Sequence, residues 1–237
     1  IPDADLRRPG FVKTAAIRPQ IRRFQPNRCV ASPAFLQRFP EDTGALRKIY
    51  TGGAPVFPRG LRQIERAFPE ADITVLYGST EAEPISHIRW HDITEAAQQR
   101  TARGKGLLVG KVAPEAEVRT IRDQWGTALS PESISKWDAM SCGIEQVGEI
   151  VVAGDHVIPG YLNGEGDAEN KIKVEGKVWH RTGDAGYFDA DGRLWLMGRC
   201  AAKFQIGPKW VYPFAVESAA VEQFDVPIAA CCLYRGA

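Results

Sequence analysis

The chain has 237 residues, 44% of them apolar and 25% charged, enough for one large domain or two smaller ones around a packed core. Its 30 Lys and Arg against 29 Asp and Glu leave a formal net charge of +1, which gives no sign of nucleic acid or an anionic membrane surface as partner. There is no signal peptide and no apolar run of transmembrane length, and the chain starts at Ile1 rather than Met, which suggests a piece of a longer protein.

Residues 1–15 read as irregular, punctuated by Pro2, Pro9 and Gly10. Helical spacing follows over Ala16–Phe24, then a short strand at Cys29–Ala31 and a helix opening at Pro33 and running towards Phe39. Leu46–Thr51 reads as a strand, Pro58–Phe68 as a helix with Leu61, Ile64 and Phe68 on one face, and Ile73–Leu76 as a buried strand. Strands alternating with helices predict a mainly parallel sheet.

From Leu107 the grammar changes. Leu107–Val112, Glu117–Ile121, Glu149–Ala153 and Val178–His180 are short β-rich runs with little helix between them, which predicts a small β subdomain in the form of a distorted barrel. Gln124–Ile144 has no clear period and reads as a long loop. Phe188–Trp195 reads as a hairpin turning at Asp191-Gly192. Val216–Phe224 reads as helix and Ile228–Tyr234 as strand, the first elements of an α+β domain that the sequence does not finish. The expected organisation is therefore an α/β nucleotide-binding subdomain at 1–106, a β-rich subdomain at 107–197, and a hinge with the beginning of a C-terminal domain at 198–237. The five cysteines, Cys29, Cys142, Cys200, Cys231 and Cys232, lack C-x-x-C pairing and read as buried free thiols in a reducing, cytoplasmic compartment.

The stretch Val75-Leu-Tyr-Gly-Ser-Thr-Glu81 carries the most chemistry. A buried strand running into a tight Gly turn sets polar groups at a strand's carboxyl end, where open α/β sheets bind ligands. Tyr77 offers a flat face for a base, Ser79 and Thr80 offer donors to phosphate oxygens, and Glu81 offers a hard oxygen for a magnesium ion that accompanies polyphosphate. A structural strand-turn with a cap residue accounts for these five residues equally well. His87, Trp90 and His91 follow closely and read as solvated or core residues before they read as an acyl-pocket lining. Thr101–Gly106 is Gly/Lys-rich but lacks the strand before and helix after that a phosphate loop needs, so it reads as a surface turn. No Gly-x-Gly-x-x-Gly follows a strand, which argues against a nicotinamide site.

Further blocks stand in order around that stretch. Arg47–Thr51 runs into Gly52-Gly53-Ala54-Pro55, where two glycines let the backbone approach a planar ligand. Gly148–Gly154 with Gly160-Tyr161-Leu162, Trp179–Asp184 and Gly198-Arg199 follow. This order resembles the adenylate-forming superfamily of acyl-CoA synthetases, luciferases and peptide-synthetase adenylation domains. The resemblance implies ATP and AMP as cofactors with Mg2+, and a small carboxylic acid as partner. It implies that Gly52, Gly53, Ala54, Pro55 and Tyr77 hold adenine, with Gly78 and Ser79 in the same nucleotide loop. Thr80 and Glu81 would be the catalytic contacts to phosphate and magnesium, Glu81 binding the metal. Asp184 would take both ribose hydroxyls beside Arg199. One carboxylate can accept two hydroxyl donors, and a guanidinium tolerates phosphate and ribose oxygens together.

Ile1–Asp3 with Arg8-Pro9, Ala31-Ser-Pro33, the Trp179–Asp184 block, Gly192–Trp195 and Gly198-Arg-Cys-Ala201 are most similar to the olefin-biosynthesis β-lactone synthetases and their fatty-acyl ligase relatives. That similarity implies activation of a long-chain fatty or β-hydroxy acid and closure of its own hydroxyl on the activated carbonyl, and it allows association with other enzymes of the same pathway. Ala201 stands where many members place a hinge Asp, and Gly207-Pro208-Lys209 replaces the glycine-rich stretch that would flank a pantetheine channel, which puts a CoA-dependent second step in doubt. The superfamily's phosphate loop would precede Ile1 and its late lysine would follow Ala237. Losing one such charge-stabilising donor typically costs on the order of 100- to 1000-fold, so the chain by itself is expected to have negligible adenylation activity. The alternatives are an acyl-CoA or acyl-carrier ligase, and a nucleotide-binding or scaffolding domain that has lost catalysis.

Overall fold

The computed structural model describes residues 2, 4–41, 43–44, 46–224, 226 and 228–233. They divide into two units, one built from the chain up to Leu76 with Ile88–Thr94, the other from Tyr77–His87 with the chain from Glu95 onward.

In the first unit α1 (Thr14–Phe24) leads to β1 (Arg28–Ala31), α2 (Pro33–Leu36), β2 (Lys48–Thr51), α3 (Pro58–Ala67) and the start of β3 (Asp72–Ser79). β1, β2 and β3 pair in parallel, Val30 beside Tyr50 and Tyr50 beside Thr74, the arrangement that strands joined by helical crossovers adopt. Pro58 opens α3 at a position where its missing N–H has no helical partner to lose. Leu61, Ile64 and Ala67 then recur at helical spacing and are fully buried. With Leu36, Ile49, Phe68 and Ile73 they form this unit's core, and Phe39 packs its ring 5.4 Å from Phe68. Full burial of such a side chain stabilises by about 1.5–3 kcal/mol.

The second unit takes the end of β3 and most of β4 (Ala82–Arg89), then α4 (Glu95–Ala102), β5 (Leu107–Val112), β6 (Glu117–Ile121), α5 (Ile134–Asp138), β7 (Gly148–Ala153), α6 (Asp167–Asn170), β8 (Lys171–Val174), β9 (Lys177–Phe188) and β10 (Leu194–Arg199). The order is β4-β5-β10-β9-β7-β6, every pair antiparallel, with β8 added to β9. All six residues of β7 are buried. Ile150 and Val152 enter a cluster with Ile85, Val109 and Leu194, while Val151 and Ala153 enter another with Ile121, Trp137, Ile172 and Trp179, so the sheet carries a core on each face. A small two-stranded sheet, β11 (Phe204–Ile206) with β12 (Lys209–Val211), and α7 (Pro213–Phe224) complete the described elements, α7 packing on α4 and β10.

Several expectations change. The expected barrel is an open sheet: among the described residues β6 pairs with β7 and otherwise makes only an isolated bridge between Ile121 and Ser141, so no ladder closes. The long loop contains α5, whose Ser133 hydroxyl accepts from the Lys136 N–H and whose Trp137 is fully buried; one turn is too short to show a period. β4, α4 and β8 were not anticipated. α4 escapes the apolar pattern because its buried residues are the small Ala97 and Thr101. Thr101–Gly106 is the end of that helix and its exit, with Gly104 and Gly106 at positive φ. The Asp189–Arg193 hairpin forms with Gly192 at φ 69°. Residues 228–233 form no strand, and Tyr234 lies outside the described residues. All five cysteines are free, but only Cys200 is buried. No helix among the described residues is long and apolar enough to cross a membrane.

Candidate nucleotide site

Gly52, Gly53, Ala54 and Pro55 follow β2 in the first unit. A Cβ on Gly52 would stand 2.5 Å from the Leu76 carbonyl oxygen on the neighbouring strand, so only glycine lets the chain leave β2 there. Gly53 has φ 73° and open space around it, so its requirement is conformational. Gly53, Ala54 and Pro55 are exposed.

The other candidate residues sit in the second unit. β3 does not stop at Leu76; it continues through Tyr77, Gly78 and Ser79, and the reversal into β4 falls at Thr80-Glu81. Gly78 therefore serves close approach rather than a turn: an added Cβ would meet the Ala82 carbonyl oxygen at 2.7 Å. The hairpin presents Tyr77 at its base and Glu81 at its tip. The Ser79 hydroxyl is buried without a well-aligned hydrogen-bond partner, yet close enough to help keep the Glu81 carboxylate charged.

β9 supplies the facing side. Alternation along the strand sends Trp179 and Arg181 into the core and sets His180, Thr182 and Asp184 on the opposite face. Four residues of strand span about 13 Å, and this lets His180 reach the tip of the hairpin while Asp184 reaches its base. The Tyr77 hydroxyl donates to Asp184 Oδ2 at 2.9 Å. Arg199 lies directly across the strand pair from Asp184, and its Nη1 stands 3.3 Å from Asp184 Oδ1 while donating to the Thr182 carbonyl at 3.1 Å. Burial pushes the Asp184 carboxyl above its ordinary pKa, with Arg199 and Tyr77 opposing the rise. Burial, then the Asp184 charge, pushes the Tyr77 phenol well up, so it remains a donor. Two partners leave further lone pairs on Asp184, enough for a pair of vicinal hydroxyls.

At the tip, burial acts to raise the Glu81 carboxyl, but its own backbone N–H, the Tyr161 hydroxyl at 3.0 Å, Ser79 and His180 together bring it below the ordinary value. Tyr161 in turn is pushed up to about 12 by burial and by Glu81. His180 Nε2 stands 4.0 Å from Glu81 Oε2, and Lys171 Nζ lies 3.3 Å from His180 Nδ1. Burial and then Lys171 lower His180 to about 4, so its ring is neutral near pH 7. Among the described residues no cluster of three or more His, Cys, Asp and Glu could hold a metal by itself. A lone ionised carboxylate fits a magnesium ion that takes its remaining ligands from phosphate and water.

The structure thus sets Asp184 between Tyr77 and Arg199, and places Glu81 with Tyr161 and His180, the latter beside Lys171. His87 and His91 are exposed. Sequence reading did not single out Tyr161, Lys171 and His180 as site residues. The alternation of β9, had the strand been drawn through Asp184, puts His180 on the same face as the aspartate.

The profile of the AMP-binding enzyme family matches residues 9–162. An olefin beta-lactone synthetase from Xanthomonas campestris pv. campestris is 33% identical over 229 residues, 92% of this chain and 40% of the relative, and one from Stenotrophomonas maltophilia is 31% identical with the same coverage. The 2-succinylbenzoate–CoA ligase of Arabidopsis thaliana is 31% identical over 75% of this chain and 30% of its own length. Among solved structures, the amide bond synthetase McbA from Marinactinospora thermotolerans superposes with a TM-score of 0.69 at 27% identity over 92% of this chain and 41% of its own. The chain spans about 40% of the length of these olefin beta-lactone synthetases. It belongs to the AMP-binding enzyme family.

Proposed function

We propose that the full-length protein uses ATP to activate a long-chain β-hydroxy acid as its acyl adenylate and then closes the β-hydroxyl on the activated carbonyl to give a β-lactone. The observation that carries nucleotide binding is the Asp184 carboxylate, held between the Tyr77 hydroxyl and the Arg199 guanidinium with acceptor capacity to spare. The similarity to two olefin beta-lactone synthetases over 92% of the chain favours the lactone outcome.

In this reading Asp184 accepts both ribose hydroxyls and fixes the nucleotide relative to the hairpin, with Tyr77 against the base. A carboxylate oxygen of the acid attacks the α-phosphorus and pyrophosphate leaves. Positioning and electrostatic stabilisation dominate such a step. Ser79 and Thr80 donate to phosphate oxygens, and Arg199 balances charge on the ribose-phosphate side. Magnesium, when bound, would neutralise phosphate charge; Glu81, kept ionised by Tyr161 and its own backbone N–H, would hold it. The β-hydroxyl oxygen then bonds to the acyl carbon, its proton is lost, and AMP departs. No CoA enters, consistent with Gly207-Pro208-Lys209 in place of a glycine-rich stretch. The third expected segment, 198–237, would carry the hinge and the start of a C-terminal domain. The free thiols fit a cytoplasmic location.

The test incubates full-length protein with ATP, magnesium and a long-chain 3-hydroxy acid, with and without CoA, and follows AMP and acyl products by mass spectrometry. CoA-independent AMP release with a product lighter than the acid by one water supports the reading. A thioester formed only with CoA replaces it with an acyl-CoA ligase, and no AMP with any acid overturns adenylation.

A further inference from the structure

We infer that Trp125 is a positioning residue for the nucleotide carboxylate, acting through the backbone of Gly183; this rests on the ribose reading of Asp184. The residue before Asp184 is held from two sides. Gly183 has φ 69°, and an added Cβ would lie 2.9 Å from the Trp125 ring, so the indole edge rests directly against the glycine. The Gly183 N–H also helps hold the Glu149 carboxylate in its charged form. Arg181 holds the indole itself, and Asp123 holds the backbone that carries it. The Arg181 guanidinium stacks 5.3 Å from its centroid while donating to the Gln124 and Thr127 carbonyls on both sides of the tryptophan. The backbone N–H of Trp125 donates to Asp123 Oδ1 at 3.1 Å, which fixes the chain that carries the ring. Asp123 is itself pinned by Lys203 at 2.5 Å and the Tyr212 hydroxyl at 2.9 Å.

A left-handed glycine has a broad choice of conformations, and each displaces the following side chain. Asp184 reaches both Tyr77 and Arg199 only while Gly183 keeps its present dihedrals, and the flat indole removes the space into which the backbone would relax. The segment 123–127 thereby joins the Asp184 carboxylate to Lys203 and Tyr212, beyond the end of β10.

The test is calorimetric titration of the full-length protein with AMP and with 2′,3′-dideoxy-AMP. Trp125→Ala is expected to weaken AMP about tenfold while changing the dideoxy nucleotide less than about twofold, a coupling within the range for residues in contact. Trp125→Phe, which keeps a smaller ring against Gly183, is expected to lose about threefold with the same dependence on the hydroxyls, and it serves if the alanine variant does not fold. Equal losses for both nucleotides, or no loss for AMP, overturn the inference. If Asp184→Ala itself weakens both nucleotides equally, the ribose reading fails first and the inference falls with it.

Discussion

Arg181 and Glu149 pose the sharpest energetic question in the second unit. Their side chains are 1% and 0% exposed, and the guanidinium meets the carboxylate through Nε at 3.0 and 3.1 Å and Nη2 at 2.6 Å. Its remaining donors go to the Gln124, Thr127 and Glu169 carbonyls. Burial pushes Glu149 up while Arg181 pulls it back, and the fork geometry is that of an ionised pair. Arg181→Met would strand a buried carboxylate and leave three carbonyls without donors, a loss of about 3–5 kcal/mol. With a urea slope of about 2 kcal/mol/M, the unfolding midpoint should fall by about 1.5–2.5 M. Tryptophan fluorescence reports it, because Trp125 stacks on the same guanidinium. The double variant Arg181→Met with Glu149→Leu removes both charges and should be more stable than Arg181→Met alone. A double variant that loses as much as the two single changes added together would refute the account, since the pair would then not be coupled.

Two further outcomes follow from the site's titrating groups. His180, 4% exposed on its side chain and lowered to about 4 from 6.5, stays neutral in the fold while the unfolded chain takes up a proton below pH 6.5. Its contribution is therefore present above pH 6.5 and lost as the pH falls towards 4, by up to about 3 kcal/mol at 1.36 kcal/mol per pH unit. Melting midpoints of wild type and His180→Asn between pH 7.5 and 4.5 should converge on acidification; parallel curves would sink this. Asp184 has the opposite sign: its folded pKa is raised, so its contribution is complete below the unfolded carboxylate pKa and lost as pH rises through the folded one. Asp184→Asn should melt no lower than wild type at pH 7.5 while losing nucleotide affinity, and a variant several degrees less stable would contradict the desolvation argument.

Much of this fold could be read from period alone. α3, β5 and β6 lie where Leu61 and Ile64, Leu107–Val112 and Glu117–Ile121 predict them, because each carries its own apolar repeat. What escaped was set by contacts distant in sequence. α4 buries only Ala97 and Thr101 and forms against α7, more than a hundred residues later. Residues 228–233 have strand-like composition but no described strand beside them to pair with.

The site divides along the same line. Residue types at Tyr77 and Glu81 and the family resemblance at Asp184 and Arg199 raised the expectation of nucleotide contacts, but not that Tyr77 spends its hydroxyl on Asp184, 107 residues away. That bond fixes where the ring lies: swinging the side chain away about its Cα–Cβ bond breaks the contact with the part-buried carboxylate, whereas turning the ring about its own long axis leaves the hydroxyl in place. Leaving such a group unsatisfied costs about 1–3 kcal/mol. In the proposed reading the ring is therefore located before a nucleotide arrives, and the residue that would take the ribose hydroxyls also sets where the base-facing ring lies.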